Sequence, residues 1–431
     1  MERIITTQLA NWKSCSVRKP LLIRGARQVG KTYSVLEFAK SHFKGRVHLF
    51  NFEKNPELHS IFDLNLDSSR ILSELEFVLN TKIISGSDLL FFDEIQECPN
   101  AIMSLRYFYE QNPKLHVIAA GSLLEFALQN ISFPVGRLRM IFMQPMSFEE
   151  FLIANGKKLL ANEIKRQNSQ LSDTVVKLVN AEMYNYFVVG GMPECVKTFV
   201  NSSSFVDVMN VQTDLIATFR QDFSKYAGHS DKRCLNSVLD SVAGKIGEQL
   251  KYSKLAEDFT NSTIKKAFEL LEIARLYTKV RAASPSGIPL GANVSQKKFK
   301  AVFLDIGLLS NISGFYSDKT IPKRKLMAAF NGKMAEQFVG QELRSSLSEN
   351  LYYWSRDARG SNAEIDYLIE RDGEVIPIEV KSGKSGSLKS LHLLLSTYAN
   401  IKTSYVFTED KYGELPEQKI KFRPLFHAGT I

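Results

Sequence analysis

The chain has 431 residues, 44% of them hydrophobic and 23% charged, with a formal net charge of +9. Such a length accommodates about three domains of ordinary size, and the globular composition excludes a largely disordered or fibrous chain. No stretch approaches the ~18 apolar residues of a membrane span, and Met1 to Pro20 lacks the apolar core of a signal peptide, so a cytoplasmic protein with no membrane partner is expected.

The four cysteines, Cys15, Cys98, Cys195 and Cys234, make no C-x-x-C pair, and the seven histidines show no ligand spacing, which argues against a disulfide framework or a zinc site. The charge is uneven. Residues 1–150 hold 17 Lys+Arg against 16 Asp+Glu, residues 151–324 hold 24 against 16, and residues 325–431 hold 14 against 14. A basic segment between two neutral ones points to a polyanion partner, or to a solvated lysine-rich surface.

Leu21 to Arg24 reads as a short apolar strand, and Gly25-Ala26-Arg27-Gln28-Val29-Gly30-Lys31-Thr32 fits G-x-x-x-x-G-K-[ST] without a mismatch. Glycines at both ends let the loop turn its backbone N–H groups inward around an anion, and the following helix adds its positive end. In that arrangement Lys31 reaches the β- and γ-phosphates of ATP and the Thr32 hydroxyl takes a place on Mg²⁺. Thr32 to Phe43 has helical spacing, Arg46 to Glu53 reads as a strand, and Ser68 to Asn80 as a helix with serines to cap it.

Asp88-Leu89-Leu90-Phe91-Phe92-Asp93-Glu94 is an apolar run ending in two acids, the pattern of a buried parallel strand whose C-terminal end carries chemistry. Asp93 is assigned to Mg²⁺ and Glu94 to polarising the attacking water as general base. Leu115 to Ser122 is the next strand, with Ser122 either a polar sensor of the γ-phosphate or a turn serine. Arg137 or Arg139, after Pro134-Val135-Gly136, is the candidate for a finger acting on a neighbouring subunit's nucleotide in a homo-oligomer, or a plain surface arginine.

The phosphate loop, the Asp93-Glu94 pair, the Gly121-Ser122 strand end, Gly136-Arg137 with Pro145-Met146-Ser147-Phe148-Glu149-Glu150-Phe151, and Gly190-Gly191-Met192-Pro193 together resemble a prokaryotic group of predicted ATPases in the AAA+ superfamily. The resemblance covers essentially the whole chain. It implies an α/β P-loop NTPase core at residues 1–150, a helical lid or insertion at 151–228, and an uncharacterised C-terminal region with a nuclease-like core.

Residues 229–324 look like a winged helix. Helices are expected at Cys234 to Leu250, Tyr252 to Phe259 and Asn261 to Leu271, the third capped by Asn261 or Ser262 and burying Ile264, Ala267, Phe268 and Leu271. Thr263, Lys265 and Lys266 would then face a DNA groove. A hairpin of Tyr277 to Ala282 and Lys297 to Phe303 would present Lys279, Arg281, Lys297, Lys298 and Lys300 to phosphates. The same pattern also serves internal packing or protein contacts.

In residues 325–431 a helix from Phe330 to Leu347 precedes strands at Tyr352–Arg356, Ala363–Glu370 and Val375–Lys381. Alternation puts Glu364 with Asp366 on one strand face and Glu379 with Lys381 on another. If the faces coincide, Asp366 and Glu379 hold Mg²⁺ and Lys381 orients water for phosphodiester cleavage. D-x₁₂-E-x-K between Asp366 and Lys381 resembles the PD-(D/E)xK restriction-endonuclease-like core, and that likeness implies Glu336 as a further metal ligand. The alternative is a degenerate fold kept for docking.

Taken together, the sequence predicts a Mg²⁺-dependent ATPase coupled to DNA binding, with or without cleavage. A nucleotide-dependent switch or scaffold that recognises a protein partner is the rival expectation.

Overall fold

The structure is a computed structural model. It describes residues 1–124, 126, 136–166, 170–226, 231–314, 332–346, 350–358, 361–381, 387–409 and 412–431. Pro134, Val135, Phe330 and Leu347, which the sequence placed in or beside predicted features, lie outside these residues. The chain forms two compact units, Met1–Gln144 with Ile273–Arg275, and Pro145–Glu272 with Leu276–Ile431.

The first unit is built on a five-stranded sheet in which every paired neighbour is parallel. Its strands are β1 (Leu21–Arg24), β2 (Val47–Asn51), β3 (Leu89–Asp93), β4 (His116–Ala120) and β5 (Arg139–Phe142), in the order β2-β3-β4-β1-β5. β3 and β4 are buried along their whole length, which is why they read as unbroken apolar runs rather than alternating ones. Phe50, Phe52, Phe62, Phe92 and Phe108 form one aromatic-rich core with Leu90, Ile71 and Leu75. The Ser68–Leu79 helix stands where expected, but its cap is Asp67, whose carboxylate accepts from the Arg70 N–H at 2.8 Å. Ser68 is diverted because its hydroxyl and N–H both donate to the side-chain Oε1 of Gln111.

The second unit has an eight-stranded mixed sheet of β6 (Tyr277–Ala283), β7 (Val294–Phe303), β8 (Tyr352–Ala358), β9 (Ser361–Arg371), β10 (Glu374–Val380), β11 (Ser404–Thr408), β12 (Gly413–Leu415) and β13 (Ile420–Pro424). The order is β12-β13-β11-β10-β9-β8-β6-β7. The β6–β7 hairpin, expected as a separate wing, continues the C-terminal sheet through a parallel pairing of β6 with β8. The Asn261–Ile273 helix buries Ile264, Ala267, Phe268 and Leu271 as expected, but its first turn is capped by the Thr260 hydroxyl, which accepts from the Thr263 N–H. The helix expected at Tyr252 to Phe259 is a single 3₁₀ turn, Tyr252–Lys254. Phe268, Tyr252, Tyr277 and Phe299 pack edge-to-face and tilted between helix and hairpin.

Gly190-Gly191-Met192-Pro193 breaks the chain between the Asp173–Val189 and Pro193–Ser202 helices. The buried Asp305 carboxylate accepts from the N–H groups of Gly191 (2.6 Å), Gly307 and Leu308 (both 3.0 Å). Gly190 has φ +73°, and a Cβ there would sit 2.1 Å from Asp305 Oδ1; one on Gly191 would sit 2.0 Å from the Met146 carbonyl oxygen. The motif therefore has a packing reason that the sequence alone does not disclose.

Glu342, in the Lys333–Ser346 helix, is buried and accepts from the Phe148 N–H at 2.9 Å. Burial, reinforced by Glu150 and Glu149, pushes its carboxyl up to about 8 against the pull of the Phe148 hydrogen bond. A raised folded value means that this group's stabilising contribution is whole below the unfolded carboxyl range and is lost as pH rises through about 8. The expected result is a melting temperature that falls between pH 5 and pH 8.5, with a shallower fall in Glu342→Gln because the amide carries no titrating charge. Identical slopes in thermal melts of the two proteins would contradict this.

Candidate functional site

All five strands of the first sheet run the same way, so their C-terminal ends gather on one edge. β1 leads straight into the glycine loop. Gly25 has φ +155° and a Cβ there would lie 2.3 Å from the Met143 carbonyl oxygen, while Gln28 (φ +62°) and Gly30 (φ +92°) adopt left-handed conformations before the Lys31–His42 helix begins. The loop is tied to β5 by the Met143 N–H donating to the Arg24 carbonyl at 2.7 Å. Lys31 is buried, and its ammonium donates to the carbonyls of Gly25 (3.1 Å) and Ala26 (2.8 Å), curled over the loop that is meant to hold phosphate.

Across β4, at the end of β3, the Thr32 hydroxyl lies 3.0 Å from both carboxylate oxygens of Asp93. Asn51, paired with Asp93 in the β2–β3 register, donates from Nδ2 to Asp93 Oδ2 at 3.1 Å. Burial, then the adjacent Glu94, pushes the Asp93 carboxyl up against these two hydrogen bonds. The Thr32 hydroxyl and the Asp93 carboxylate are hard oxygen donors suited to Mg²⁺, with Asn51 orienting the carboxylate through its Nδ2, so these residues fit the ion that the motif implies. Glu94 has φ +50°, and its Oε2 accepts from Gln96 Nε2 at 2.7 Å and from the Ser122 hydroxyl at 3.4 Å. Ser122 is buried beside the acid, at the end of β4. Arg137 is not gathered with this group: its Nε lies 3.0 Å from Glu110 Oε1, and Arg139 is exposed on β5.

In the second unit, the antiparallel β9–β10 register pairs Tyr367 with Ile378 and so carries Asp366 opposite Glu379. The two faces coincide as the strand alternation anticipated. Asp366 Oδ2 accepts from the Val380 N–H at 2.7 Å, and Lys381 forms an ion pair with Glu379. Lys300 changes the picture. Its ammonium, 2% exposed, reaches from β7 to Glu336 (2.9 Å), to Glu364, and to within 3.8 Å of Asp366. Glu336 is therefore a counter-ion of Lys300 and not free to ligate a metal. Among the described residues no set of three His, Cys, Asp or Glu side chains is arranged to hold one. As they stand, Glu336, Asp366 and Glu379 do not fit the divalent ion expected of them.

The basic residues of the middle segment divide in two. Lys265, Lys266, Arg281 and Lys297 are exposed. Lys279 instead turns inward, 4.4 Å from the Phe299 ring centroid, with its ammonium donating to the Tyr252 hydroxyl at 2.8 Å. Burial pulls its ammonium down from the ordinary range. Lys279 and Lys300 are thus removed from the set expected to touch phosphates.

Residues 17–152 match the family described as AAA domain. Residues 180–319 and 331–422 match two families described as domains of unknown function, DUF8612 and DUF4143. An uncharacterized protein of Methanocaldococcus jannaschii, MJ1544, is 25% identical over 365 residues, covering 81% of this chain and 71% of that protein. Among solved structures, a Walker-type ATPase of Pyrococcus abyssi is 15% identical and covers 71% of this chain and 94% of its own, with a TM-score of 0.45. A RuvB variant of Thermotoga maritima is 14% identical, covers 64% and 88%, and has a TM-score of 0.31. Among the described residues no helix is long and apolar enough to cross a membrane.

Within the segment that matches this family, Gly25 to Thr32, Asp93, Glu94 and Ser122 come together at one sheet edge. Sequence reasoning missed Asn51 and Gln96, which hold the two acids. Asn51 carried a signal, a polar residue closing a strand in the register position beside Asp93, whereas Gln96 sits in a short turn without one. Replacing Asn51 by Ala removes one of the two side-chain donors to the buried Asp93. A net hydrogen bond is worth about 0.5–1.5 kcal/mol, so a roughly 2–10-fold weaker affinity for ATP in the presence of Mg²⁺ is expected. Metal-free nucleotide binding should be unchanged. A fluorescent-nucleotide titration checks this, and equal losses with and without Mg²⁺ would contradict it.

Proposed function

We propose that the chain hydrolyses ATP with Mg²⁺ in its AAA domain and couples turnover to a contact with DNA. The observation that carries this reading is the pairing of Thr32 with Asp93, next to a Glu94 held by Gln96 and Ser122, at the mouth of a glycine-bounded loop. In this mechanism the backbone N–H groups of Ala26 to Lys31 cradle the phosphates, and Lys31 exchanges its two loop carbonyls for phosphate oxygens. Thr32 and Asp93 would hold Mg²⁺, which when bound neutralises charge on the phosphates. Glu94 orients the attacking water and takes its proton, while Ser122 fixes the carboxylate that does so. The DNA contact is assigned to Lys265, Lys266, Arg281 and Lys297, the exposed members of the basic middle segment, through backbone phosphates.

Cleavage of DNA at Asp366, Glu379 and Lys381 is the weaker extension of this proposal. The seating of Lys300 among the carboxylates favours the rival form, in which the nuclease-like part is catalytically silent and ATP sets a domain arrangement that a protein partner reads.

Steady-state ATP turnover separates these. Glu94→Gln is expected to lose about 10²–10⁴-fold in kcat while retaining ATP binding, and Lys31→Ala to lose binding itself. Duplex DNA should raise wild-type turnover, with the effect shrinking as salt rises and vanishing when Lys265, Lys266, Arg281 and Lys297 are changed to Glu. Turnover indifferent to Lys31 and Glu94 would end the ATPase assignment. Turnover that responds to these two residues but not to DNA would leave the switch reading.

A further inference from the structure

The carboxylate cluster of the second unit is a cation site whose cation is part of the chain. Glu336, Glu364, Asp366 and Glu379 bring four carboxyl groups together with two lysines, Lys300 and Lys381, and burial, followed by Asp366, pushes the carboxyls of Glu336 and Glu379 upward. The positions of the two lysines differ. Lys381 is 26% exposed, lies just beyond the end of β10 and pairs with Glu379. Lys300 is 2% exposed and comes from β7, with β6 and β8 lying between it and β9 in the sheet. It passes 5.4 Å from the centroid of the Tyr353 ring and ends with its ammonium facing three carboxylates.

A buried lysine ordinarily sheds its proton because desolvation penalises the charged form. Here burial is outweighed by Glu336, Asp366 and Glu364, which hold the ammonium charged. Three carboxylates from two elements, Glu336 from the Lys333–Ser346 helix and Glu364 and Asp366 from β9, surround one buried positive charge that is carried on an Nζ where a divalent ion would carry its own. One acceptor is left over. Among the described residues Glu379 Oε2 is buried and has no hydrogen-bond partner, so one oxygen of the cluster is not used by either lysine.

We propose that the Lys300 ammonium is the resident cation of this cluster, standing where a divalent ion would be held, and that the cluster takes up a divalent ion only when that ammonium is removed. Asp366 and Glu379 would be ligands of the ion thus admitted, with Glu336 and Glu364 released to it. The inference is independent of the AAA domain and goes beyond the ATPase reading. Its failure leaves that reading untouched, because the test uses no nucleotide.

The experiment measures Mn²⁺ uptake by the full-length chain without nucleotide, from the free-Mn²⁺ electron paramagnetic resonance signal, together with thermal melts. Met fills the space of the lysine stem without its charge, so Lys300→Met is the central variant. It is expected to bind about one more Mn²⁺ per chain than the wild type, and its melting temperature, lowered in metal-free buffer by uncompensated carboxylates, should rise on adding Mn²⁺. The extra ion should vanish in Lys300→Met/Asp366→Asn. Wild type and Asp366→Asn should take up the same amount. Folded Lys300→Met with no extra Mn²⁺ would overturn the proposal, and so would Mn²⁺ bound by the wild type and lost in Asp366→Asn. If Lys300→Met is not recovered folded, that wild-type comparison decides alone, with equal uptake supporting the proposal and Asp366-dependent uptake overturning it.

Discussion

The contact between the Thr32 hydroxyl and the Asp93 carboxylate, 3.0 Å to each oxygen, is the constraint from which the rest of the nucleotide site follows. It requires that a loop after β1 and the end of β3 meet across β4, which only a parallel sheet with β4 between them supplies. The order β2-β3-β4-β1-β5 then brings Asn51 beside Asp93 from one side and Met143 against Gly25 from the other. Gly25 cannot be exchanged for a residue with a side chain without moving β5, so the loop's shape and the sheet's packing are one requirement. Two acids at the end of a fully buried strand would be costly if left alone. Here each has donors: Thr32 and Asn51 for Asp93, Gln96 and Ser122 for Glu94.

The second unit solves a related problem differently. Its buried carboxylates are compensated from within the chain, Asp305 by three backbone N–H groups, Glu342 by the Phe148 N–H, and the Glu336 cluster by Lys300. These contacts join elements distant in sequence, from Phe148 to Glu342 and from Gly191 to Asp305. The sheet itself is continuous from the β6–β7 hairpin to the C-terminal strands through the pairing of β6 with β8. Positive charge counted from the sequence as a nucleic-acid footprint is partly spent on this internal compensation, and that lowers the number of residues available to DNA.

Much of the first unit was legible because its signals are local. A glycine-bounded loop after an apolar strand, and an apolar run ending in Asp93-Glu94, each declare their structure within a dozen residues, and β1 to β4 stand where strands were expected, whereas the short and partly exposed β5 was not foreseen. The Asn261–Ile273 helix was equally legible, down to its buried face, because 3.6-residue periodicity is a local property too. What escaped was long-range. Nothing near Lys300 announces Glu336 or Glu364, although a lone lysine in the run Phe299-Lys300-Ala301-Val302-Phe303 is a charge in an apolar context and signals a buried partner. Counting it with Lys297 and Lys298 as part of a basic wing missed that β7 is exposed or half-buried only as far as Lys298 and is buried at every position from Phe299 to Phe303. The caps failed for a similar reason. Asp67 outcompeted Ser68 because Gln111, far along the chain, had claimed the serine.

The central claim is that the edge formed by Gly25 to Thr32, Asp93 and Glu94 is a nucleotide site completed by a divalent ion. Isothermal titration calorimetry of ATP into the purified full-length chain, with Mg²⁺ and with a chelator, tests it most directly. The account predicts saturable binding of one ATP per chain that is tighter with Mg²⁺ present. No heat of binding at millimolar ATP with Mg²⁺ would contradict it.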